Sequence, residues 1–347
     1  MIHLRPELAA RLGAGDPSAV IASLQSAIEL EHSTIPPYLY ALYSLAPGAN
    51  REVADILESV VVEEMLHLTL AANVLNALGG NPVLDSPDVV PTYPGPLPGS
   101  VEGGLTVGLY PCSISLVQDT FMAIEQPEDP LDFPVQAVAG PQPLTIGQFY
   151  RAIGDAIVAL GDGAFAPGPR NQVGPDRMDE SVVVTDVATA CRAIGTITDQ
   201  GEGTRTSPLE AVGGGYAHYY RFAEIVHGRL LVPNPDAGPD TPPDDRYAYG
   251  GDTVTFDPTG VLLVPPNPST AGYPAGSLAR EACVGFNYTY TNLLKTLHAT
   301  VNGAPATLDA AIGLMMSLEQ QAKDMATGAI TGGEPVGPSF EWQPVNG

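Results

Sequence analysis

The sequence predicts a mainly α-helical protein in which long helices are joined by long Pro- and Gly-rich loops. Hydrophobic residues make up 44% of the 347 residues, enough to bury a sizeable core. Glycine contributes 38 residues and proline 35, and both cluster between segments in which apolar residues recur every three or four positions. These observations predict ordered helices separated by stiff loops, and they argue against a disordered chain.

The first two helices are predicted to form an antiparallel hairpin. Apolar residues recur at intervals of three, four and seven within residues 16–45, after an Asp-Pro pair that suits a helix start. A second helix is predicted over residues 51–78 and ends at a Gly-Gly-Asn-Pro turn. Further helices are predicted over residues 113–125, 145–160, 186–199, 208–231, 278–301 and 307–327. Short strands are predicted at residues 104–110 and 260–264.

Proline and glycine divide the chain into three predicted parts. A helical bundle occupies residues 1–232 and carries an inserted loop excursion at residues 81–145. A Pro- and Gly-rich linker follows at residues 233–276. The last part, residues 277–347, is a helical extension that we expect to pack on the bundle.

The charge balance restricts the partners that the protein can bind, and the cysteines restrict its disulfide and zinc chemistry. The sequence holds 14 Lys and Arg against 39 Asp and Glu, and this net charge of −25 argues against binding to nucleic acid or to an anionic membrane surface. Cys112, Cys191 and Cys283 are odd in number and far apart, so we expect neither a disulfide framework nor a thiolate zinc site. Neither a signal peptide nor a membrane span is evident, which predicts a cytoplasmic protein.

Carboxylates and a histidine interrupt the apolar stretch of the second predicted helix. Glu64 and His67 stand three residues apart, which places both side chains on one face about a turn apart. This Glu-x-x-His spacing is found in the carboxylate-bridged di-iron sites of four-helix bundles. Two alternatives stay open: a pairing of Glu63 with His67, and a solvated face that carries both acids.

The first helix supplies a further candidate ligand. Glu31 lies on the same stripe as Ile28 and Ile35, which should be buried, and a buried carboxylate needs a partner. Pro36 and Pro37 then interrupt the hydrogen-bond ladder one turn later, a distortion often found beside a metal or ligand site. The alternative is an ordinary kinked core helix from which Glu31 extends outward.

A di-iron bundle repeats the Glu and Glu-x-x-His pattern on a second helix pair, and the later half of the sequence offers candidates for it. Glu202 ends one predicted helix and His218 begins the next, so an antiparallel connection brings them to the same level. Glu224 and His227 have the same Glu-x-x-His spacing. However, Glu224 lies about 9 Å from His218 along the helix axis, too far for both to bind one ion. We therefore favour His218 as a ligand and keep Glu224 and His227 as the alternative pair.

Four more residues could lie around the predicted metal site. A substrate entering beneath the loop excursion could stack on Tyr38 and Phe222, and Glu125, at a predicted helix end, could close the pocket. Arg221 would orient a ligand or a substrate carboxylate, or pair with Glu224 three residues on. For Glu125 the alternative is an exposed helix end.

The segments that hold these residues carry a family resemblance. They are IELEHSTIPPY at residues 28–38, VEEMLHL at 62–68, QGEG at 200–203 and HYYRF at 218–222, with NGAP at 302–305 and GPSFE at 337–341 in the tail. Together they resemble the ferritin-like domain of the iminophenyl-pyruvate dimer synthases, which are related to the enzymes that couple tryptophan-derived imines in violacein and bisindole pathways. The resemblance covers nearly the whole chain, least of all the Pro-rich linker.

The resemblance implies a ferritin-like four-helix bundle with additional C-terminal helices and a metal-dependent oxidative role. The implied metal ligands are Glu31, Glu64, His67, Glu202 and His218. One or two non-haem iron ions, or manganese, would be the cofactor. Dioxygen or peroxide would oxidise or couple an aromatic, amino-acid-derived substrate such as an imine of secondary metabolism. The alternative is a ferritin-like metal-binding or partner protein without turnover, and a homo-oligomer stays open in either case.

Overall fold

The computed structural model describes residues 12, 15–98, 105–127, 145–203, 207–209 and 215–344. Its main helices are α1 (Pro17–Tyr43), α2 (Arg51–Ala77), α3, α4 (Ile146–Leu160), α5 (Val187–Glu202), α6 (His218–His227), α7 (Leu278–Val301) and α8 (Leu308–Ala326). Helix α3 consists of three consecutive segments, Ile114–Leu116, the π-helical Val117–Phe121, and Met122–Ile124. The predicted loop excursion falls partly on residues 99–104 and 128–144, which lie outside the described residues.

Four of these helices form a bundle. Helices α1 and α2 pack along each other as a hairpin, and α4 and α5 form a second pair. The pairs join through contacts of α1 with α4 and of α2 with α5. Helices α7 and α8 pack against each other and contact the first pair. The predicted mainly α-helical class, with long Pro- and Gly-rich loops and additional C-terminal helices, is confirmed.

The two prolines inside α1 do not end the helix. Pro37 has no backbone N–H, so the carbonyl of Ser33, four residues earlier, loses its helical partner. The hydroxyl of Tyr93 donates to that carbonyl at 2.7 Å and replaces the missing bond. The interruption therefore attaches the Pro-rich segment after α2 to α1, at a residue two positions after Glu31.

The strands are short and lie at the edges of the bundle. Strand β1 (Gly95–Pro96) pairs with β2 (Thr106–Val107), and β3 (Arg229–Pro233) pairs with β4 (Tyr247–Thr253), both antiparallel. The predicted helix over residues 208–231 was too long, because Gly228, at φ +68°, ends α6 in a left-handed conformation and leads into β3.

The Pro-rich residues between β3 and α7 also contact the helical bundle. The predicted strand at residues 260–264 is wrong, because this stretch follows a 3₁₀ turn and makes only the isolated bridge of Val261 with Leu45. Ala46 N donates to the Gly260 carbonyl at 2.9 Å, which fastens the stretch to the end of the first hairpin. None of the helices in the described ranges is long and apolar enough to cross a membrane.

Candidate metal centre

Two histidines and three carboxylates are buried together where α1, α2, α3 and α6 meet. Each of these five side chains belongs to a residue that is at most 4% exposed: Glu31, Glu64, His67, Glu125 and His218. Burial of so many ionisable groups is unfavourable unless they are paired or hold a cation. We call this group the carboxylate–imidazole cluster.

Glu64 occupies the centre of the cluster. Its Oε1 lies 2.9 Å from His218 Nδ1 and 4.0 Å from His67 Nδ1. Glu64, His67 and His218 each offer one ligand atom, and these three atoms lie within 4.8 Å of one another. The rings of His67 and His218 are stacked, with centroids 5.3 Å apart. Both Nδ1 atoms therefore face the same carboxylate from neighbouring directions.

Each histidine has a further carboxylate of its own. His67 Nδ1 lies 3.6 Å from Glu31 Oε2, and His218 Nδ1 lies 3.5 Å from Glu125 Oε2. Glu125 thus belongs to the cluster itself, a role that the sequence did not predict. Its helix, α3, contacts α6. Residue spacing within one helix cannot predict such a contact, because the two segments are far apart in the sequence.

A neutral hydroxyl group fixes the other oxygen of every carboxylate in the cluster. Thr34 Oγ1 donates to Glu64 Oε2 at 2.7 Å. The Tyr150 hydroxyl donates to Glu31 Oε1 at 2.5 Å, and the Tyr38 hydroxyl donates to Glu125 Oε1 at 2.6 Å. One oxygen of each carboxylate is therefore held in place while the other faces an imidazole.

The second nitrogen of each imidazole is also fixed. His218 Nε2 lies 3.0 Å from Glu63 Oε2, and His67 Nε2 lies 2.9 Å from Gln200 Oε1. Gln200 gives its amide N–H to Glu180, so its carbonyl oxygen faces His67 and the His67 Nε2 donates. When the imidazoles are neutral, these bonds select the tautomer with the proton on Nε2, in which the lone pair of each Nδ1 points toward the carboxylates.

The donor set fits a metal ion. His218 Nδ1 is fully buried and, despite its short distance to Glu64, has no hydrogen-bond partner with acceptable geometry. A buried nitrogen lone pair among carboxylate oxygens is the kind of environment that a divalent cation stabilises. Carboxylate and imidazole ligands without a thiolate favour iron or manganese over copper(I).

The cluster binds protons strongly when no cation neutralises it. Burial raises the pKa of Glu64 to about 7, and the charges of Glu125 and Glu31 act in the same direction. Burial lowers the pKa of His67 and His218, but the carboxylates around them outweigh it, so both pKa values lie above the usual value. A metal ion would displace these protons, which couples its binding to pH.

Glu202, a predicted ligand, is near enough to Glu125 for the two charges to interact, but its carboxylate is hydrogen-bonded to a different helix. Its Oε1 accepts the backbone N–H of Gly147 at 2.7 Å, in the first turn of α4. A Cβ atom at position 147 would stand 2.2 Å from Glu202 Oε2, so glycine leaves the space that this carboxylate fills. Burial raises the pKa of Glu202 to about 7. The structure thus places Glu202 at the N-terminus of a helix, where unpaired N–H groups favour an acid.

The alternative ligands do not face the cluster. Glu224 Oε1 accepts the backbone N–H of Leu231 at 2.8 Å and joins α6 to β3. His227 is exposed and stacks on Tyr249, with ring centroids 4.1 Å apart. Arg221 donates to Glu63 and, at 2.9 Å, to Ser59 Oγ, so it acts on the cluster through Glu63.

Tyr38 and Phe222, the predicted substrate contacts, form an aromatic wall behind Glu125. Both are fully buried, with ring centroids 5.2 Å apart, and each packs on Phe121. The wall shields the Tyr38–Glu125 hydrogen bond from water. Neither residue lines a large cavity that opens in the described part of the molecule.

That cavity has a volume of about 700 Å³. Apolar residues of α1, α2, α7 and α8 form its walls, among them Leu39, Leu66 and Leu294. Glu63 and Gln200 line its polar part, and the same two side chains hydrogen-bond the histidines of the cluster. The cavity thus reaches the residues that hold His218 and His67.

Comparisons with known proteins agree with this fold. A family model described as ferritin-like matches residues 24–227. A dichlorochromopyrrolate synthase of Lentzea aerocolonigenes is 24% identical over 387 aligned positions, which cover 93% of this chain and 36% of the relative. The chain therefore spans about a third of that relative's length. The iminophenyl-pyruvate dimer synthase family, the finer resemblance, stays a prediction.

A solved structure is also similar. The crystal structure of a ferritin-like protein from Caulobacter vibrioides superposes with a TM-score of 0.57 and 23% sequence identity. The match covers 87% of this chain and 95% of the other. At this identity the likeness concerns the fold, and it supports the assignment of the bundle helices.

Proposed function

The chain belongs to the ferritin-like family, and on that premise we propose that it is a non-haem, metal-dependent oxidoreductase. The observation that carries the proposal is the carboxylate–imidazole cluster, in which every carboxylate is oriented by a hydroxyl group and His218 Nδ1 is buried without a hydrogen bond. The proposed ligands are Glu31, Glu64, His67, Glu125 and His218.

We propose iron as the metal, with manganese as the second choice, because the donors are oxygen and imidazole nitrogen. The pairing of His67 with Glu31, and of His218 with Glu125, on either side of Glu64 supports two ions. When bound, iron would supply redox chemistry with dioxygen or peroxide as the oxidant. The protein's own contribution is to orient the ligands and to keep water away from the cluster.

The cavity is the proposed substrate site. It is large enough for a drug-sized molecule, and its walls are mostly apolar. A substrate in it would contact Glu63 and Gln200, which hold the two histidines. The resemblance to imine-coupling proteins and the similarity to a dichlorochromopyrrolate synthase support an aromatic, amino-acid-derived substrate, and oxidation or oxidative coupling as the reaction.

Elemental analysis of protein purified in air from iron-supplemented cells tests the proposal. We expect about two irons per chain, lost in the Glu64→Ala and His218→Ala variants. The matched controls are His227→Ala and Glu224→Ala, which remove the same side-chain types from the same region and should keep the metal. A folded wild type without metal, or a His218→Ala variant with full metal content, would refute the proposal. Metal without any oxygen consumption across a substrate screen would instead favour a non-catalytic metal-binding protein.

A further inference from the structure

We infer that the Tyr290 hydroxyl, held by His32, is a hydrogen-bond acceptor in the wall of the cavity, and that the substrate binds it with an N–H or O–H donor on or beside an aromatic ring. The inference rests on the proposed function in treating the cavity as the substrate site. Tyr290 is then a specificity-determining residue of that site, and it selects the substrate by a hydrogen-bonding group.

Helices α1 and α7 present mostly apolar side chains to the cavity, and His32 and Tyr290 interrupt them. On α1, His32, Ile35 and Leu39 follow one another at intervals of three and four residues, and all three line the cavity. On α7, Tyr290 and Leu294 stand four residues apart and line it as well. The imidazole and the phenol hydroxyl therefore form a polar point in a mostly apolar wall.

The hydrogen bonds of this pair fix which atom donates. His32 Nδ1 lies 3.1 Å from the carbonyl oxygen of Val89, which only accepts, so Nδ1 carries a proton. His32 is 3% exposed and both of its hydrogen-bond partners are uncharged, which favours the neutral imidazole. His32 Nε2 therefore has a lone pair, and the Tyr290 hydroxyl donates to it at 2.6 Å. With this proton engaged, the Tyr290 oxygen can only accept further hydrogen bonds.

The acceptor capacity of Tyr290 is not used within the described part of the chain. No group there donates a hydrogen bond to its hydroxyl oxygen. Tyr290 is buried and borders the cavity, so the cavity is the space from which a donor would come. A buried polar atom is stabilised when its remaining hydrogen-bond capacity is satisfied, and a donor on the substrate would satisfy it.

The C-terminal tail holds the Tyr290 ring in position. Phe340 packs edge-on against Tyr290, with ring centroids 5.4 Å apart, and also lines the cavity. Its backbone lies at φ +51°, a left-handed conformation that is strained for a residue with a side chain. Glu341 N donates to Asn287 Oδ1 at 3.0 Å and keeps the tail in this conformation. The strained residue thus lies where two aromatic rings shape the cavity wall, which favours an aromatic occupant.

Three bicyclic probes of nearly equal size test the donor preference. Indole carries a ring N–H that only donates, indene has a methylene group in its place, and benzofuran has a ring oxygen that only accepts. Dissociation constants are measured by ligand-detected NMR titration, with and without a metal chelator. We expect indole to bind about 2–10-fold more tightly than indene, and benzofuran no more tightly than indene. Without an acceptor the order would reverse, because burying the indole N–H unpaired is unfavourable.

Three variants assign the preference to the pair. Tyr290→Phe removes the acceptor and keeps the ring, so indole should bind no more tightly than indene. Its matched control, Tyr288→Phe, removes a hydroxyl from the same helix outside the cavity lining and should keep the wild-type ratio. His32→Phe keeps an aromatic ring but frees the Tyr290 proton, so benzofuran should gain about 2–10-fold relative to indole. Circular dichroism establishes that each variant is folded, and Tyr290→Phe decides the assignment if His32→Phe is not.

Four outcomes would overturn the assignment of Tyr290. They are indene binding as tightly as indole to the wild type, a preference that survives Tyr290→Phe, a preference that depends instead on Tyr43, the other tyrosine of the lining, and absence of binding by all three probes. Metal content is measured on the same preparations. The expected ranking in a protein that holds no metal as purified would keep the assignment and refute the oxidoreductase. Bound metal with no difference among the probes would refute the assignment alone.

Discussion

The contact between Gly147 and Glu202 yields a quantitative prediction. In Gly147→Ala, the new Cβ would stand 2.2 Å from Glu202 Oε2, so the carboxylate must move and lose the N–H that it accepts at 2.7 Å. A hydrogen bond to a charged group contributes about 1.5–3 kcal/mol, and overpacking costs about 1–3 kcal/mol. The higher helix propensity of alanine stabilises the folded state by about 1 kcal/mol and offsets part of this loss. We expect a loss of about 1.5–5 kcal/mol in the free energy of unfolding.

A double-mutant cycle measured by urea unfolding tests this reasoning. Glu202→Ala removes the carboxylate, so Gly147→Ala in that background should be neutral or stabilising by up to about 1 kcal/mol. Metal content should stay at the wild-type level in all three variants, because Glu202 binds the start of α4. If Gly147→Ala is as destabilising without the Glu202 carboxylate as with it, or if Glu202→Ala loses metal, the assignment of Glu202 to the helix N-terminus is wrong.

Three further predictions concern the cluster and the end of α6. Thr34→Val should weaken metal binding about 10–100-fold in competition with a chelating dye, because Glu64 loses the hydroxyl that orients it, and unchanged affinity would contradict that role. Chelation should lower the unfolding temperature more at pH 8 than at pH 6, since the pKa of Glu64 is about 7 and protons compete with the metal below it; a pH-independent effect would contradict this. Burial raises the pKa of Glu224 to about 6, so its ionisation destabilises the fold as pH rises from about 4.5 through 6. Glu224→Gln should therefore gain about 1 kcal/mol over wild type at pH 8 and nothing at pH 4, and equal differences in urea unfolding at both pH values would contradict it.

Local spacing predicted the parts of the site that lie within one or two helices. Glu64 and His67 meet because three residues make about one turn, and the rise along α6 separates His218 from His227 by more than two turns. The structure accordingly buries His218 and exposes His227. These spacings follow from helix geometry alone, so they could be predicted from the sequence.

The parts that spacing did not predict depend on packing between distant segments. Glu125 enters the cluster because α3 packs on α6, and Glu202 turns to α4 because Gly147 leaves room for it. The cavity opens between the first hairpin and the C-terminal helices, where apolar periodicity predicts burial but not how completely a face is covered. Tyr150 and Gln200 were missed for the same reason.

Two side chains are shared by the cavity and the cluster, so a ligand bound in one site would act on the other. Glu63 and Gln200 each contact a histidine of the cluster and the interior of the cavity. A molecule that shifts either side chain changes the free energy of metal binding, and by reciprocity the metal changes the affinity for that molecule by the same factor. Under the proposed function, a filled cavity and an empty one would therefore correspond to clusters of different metal affinity.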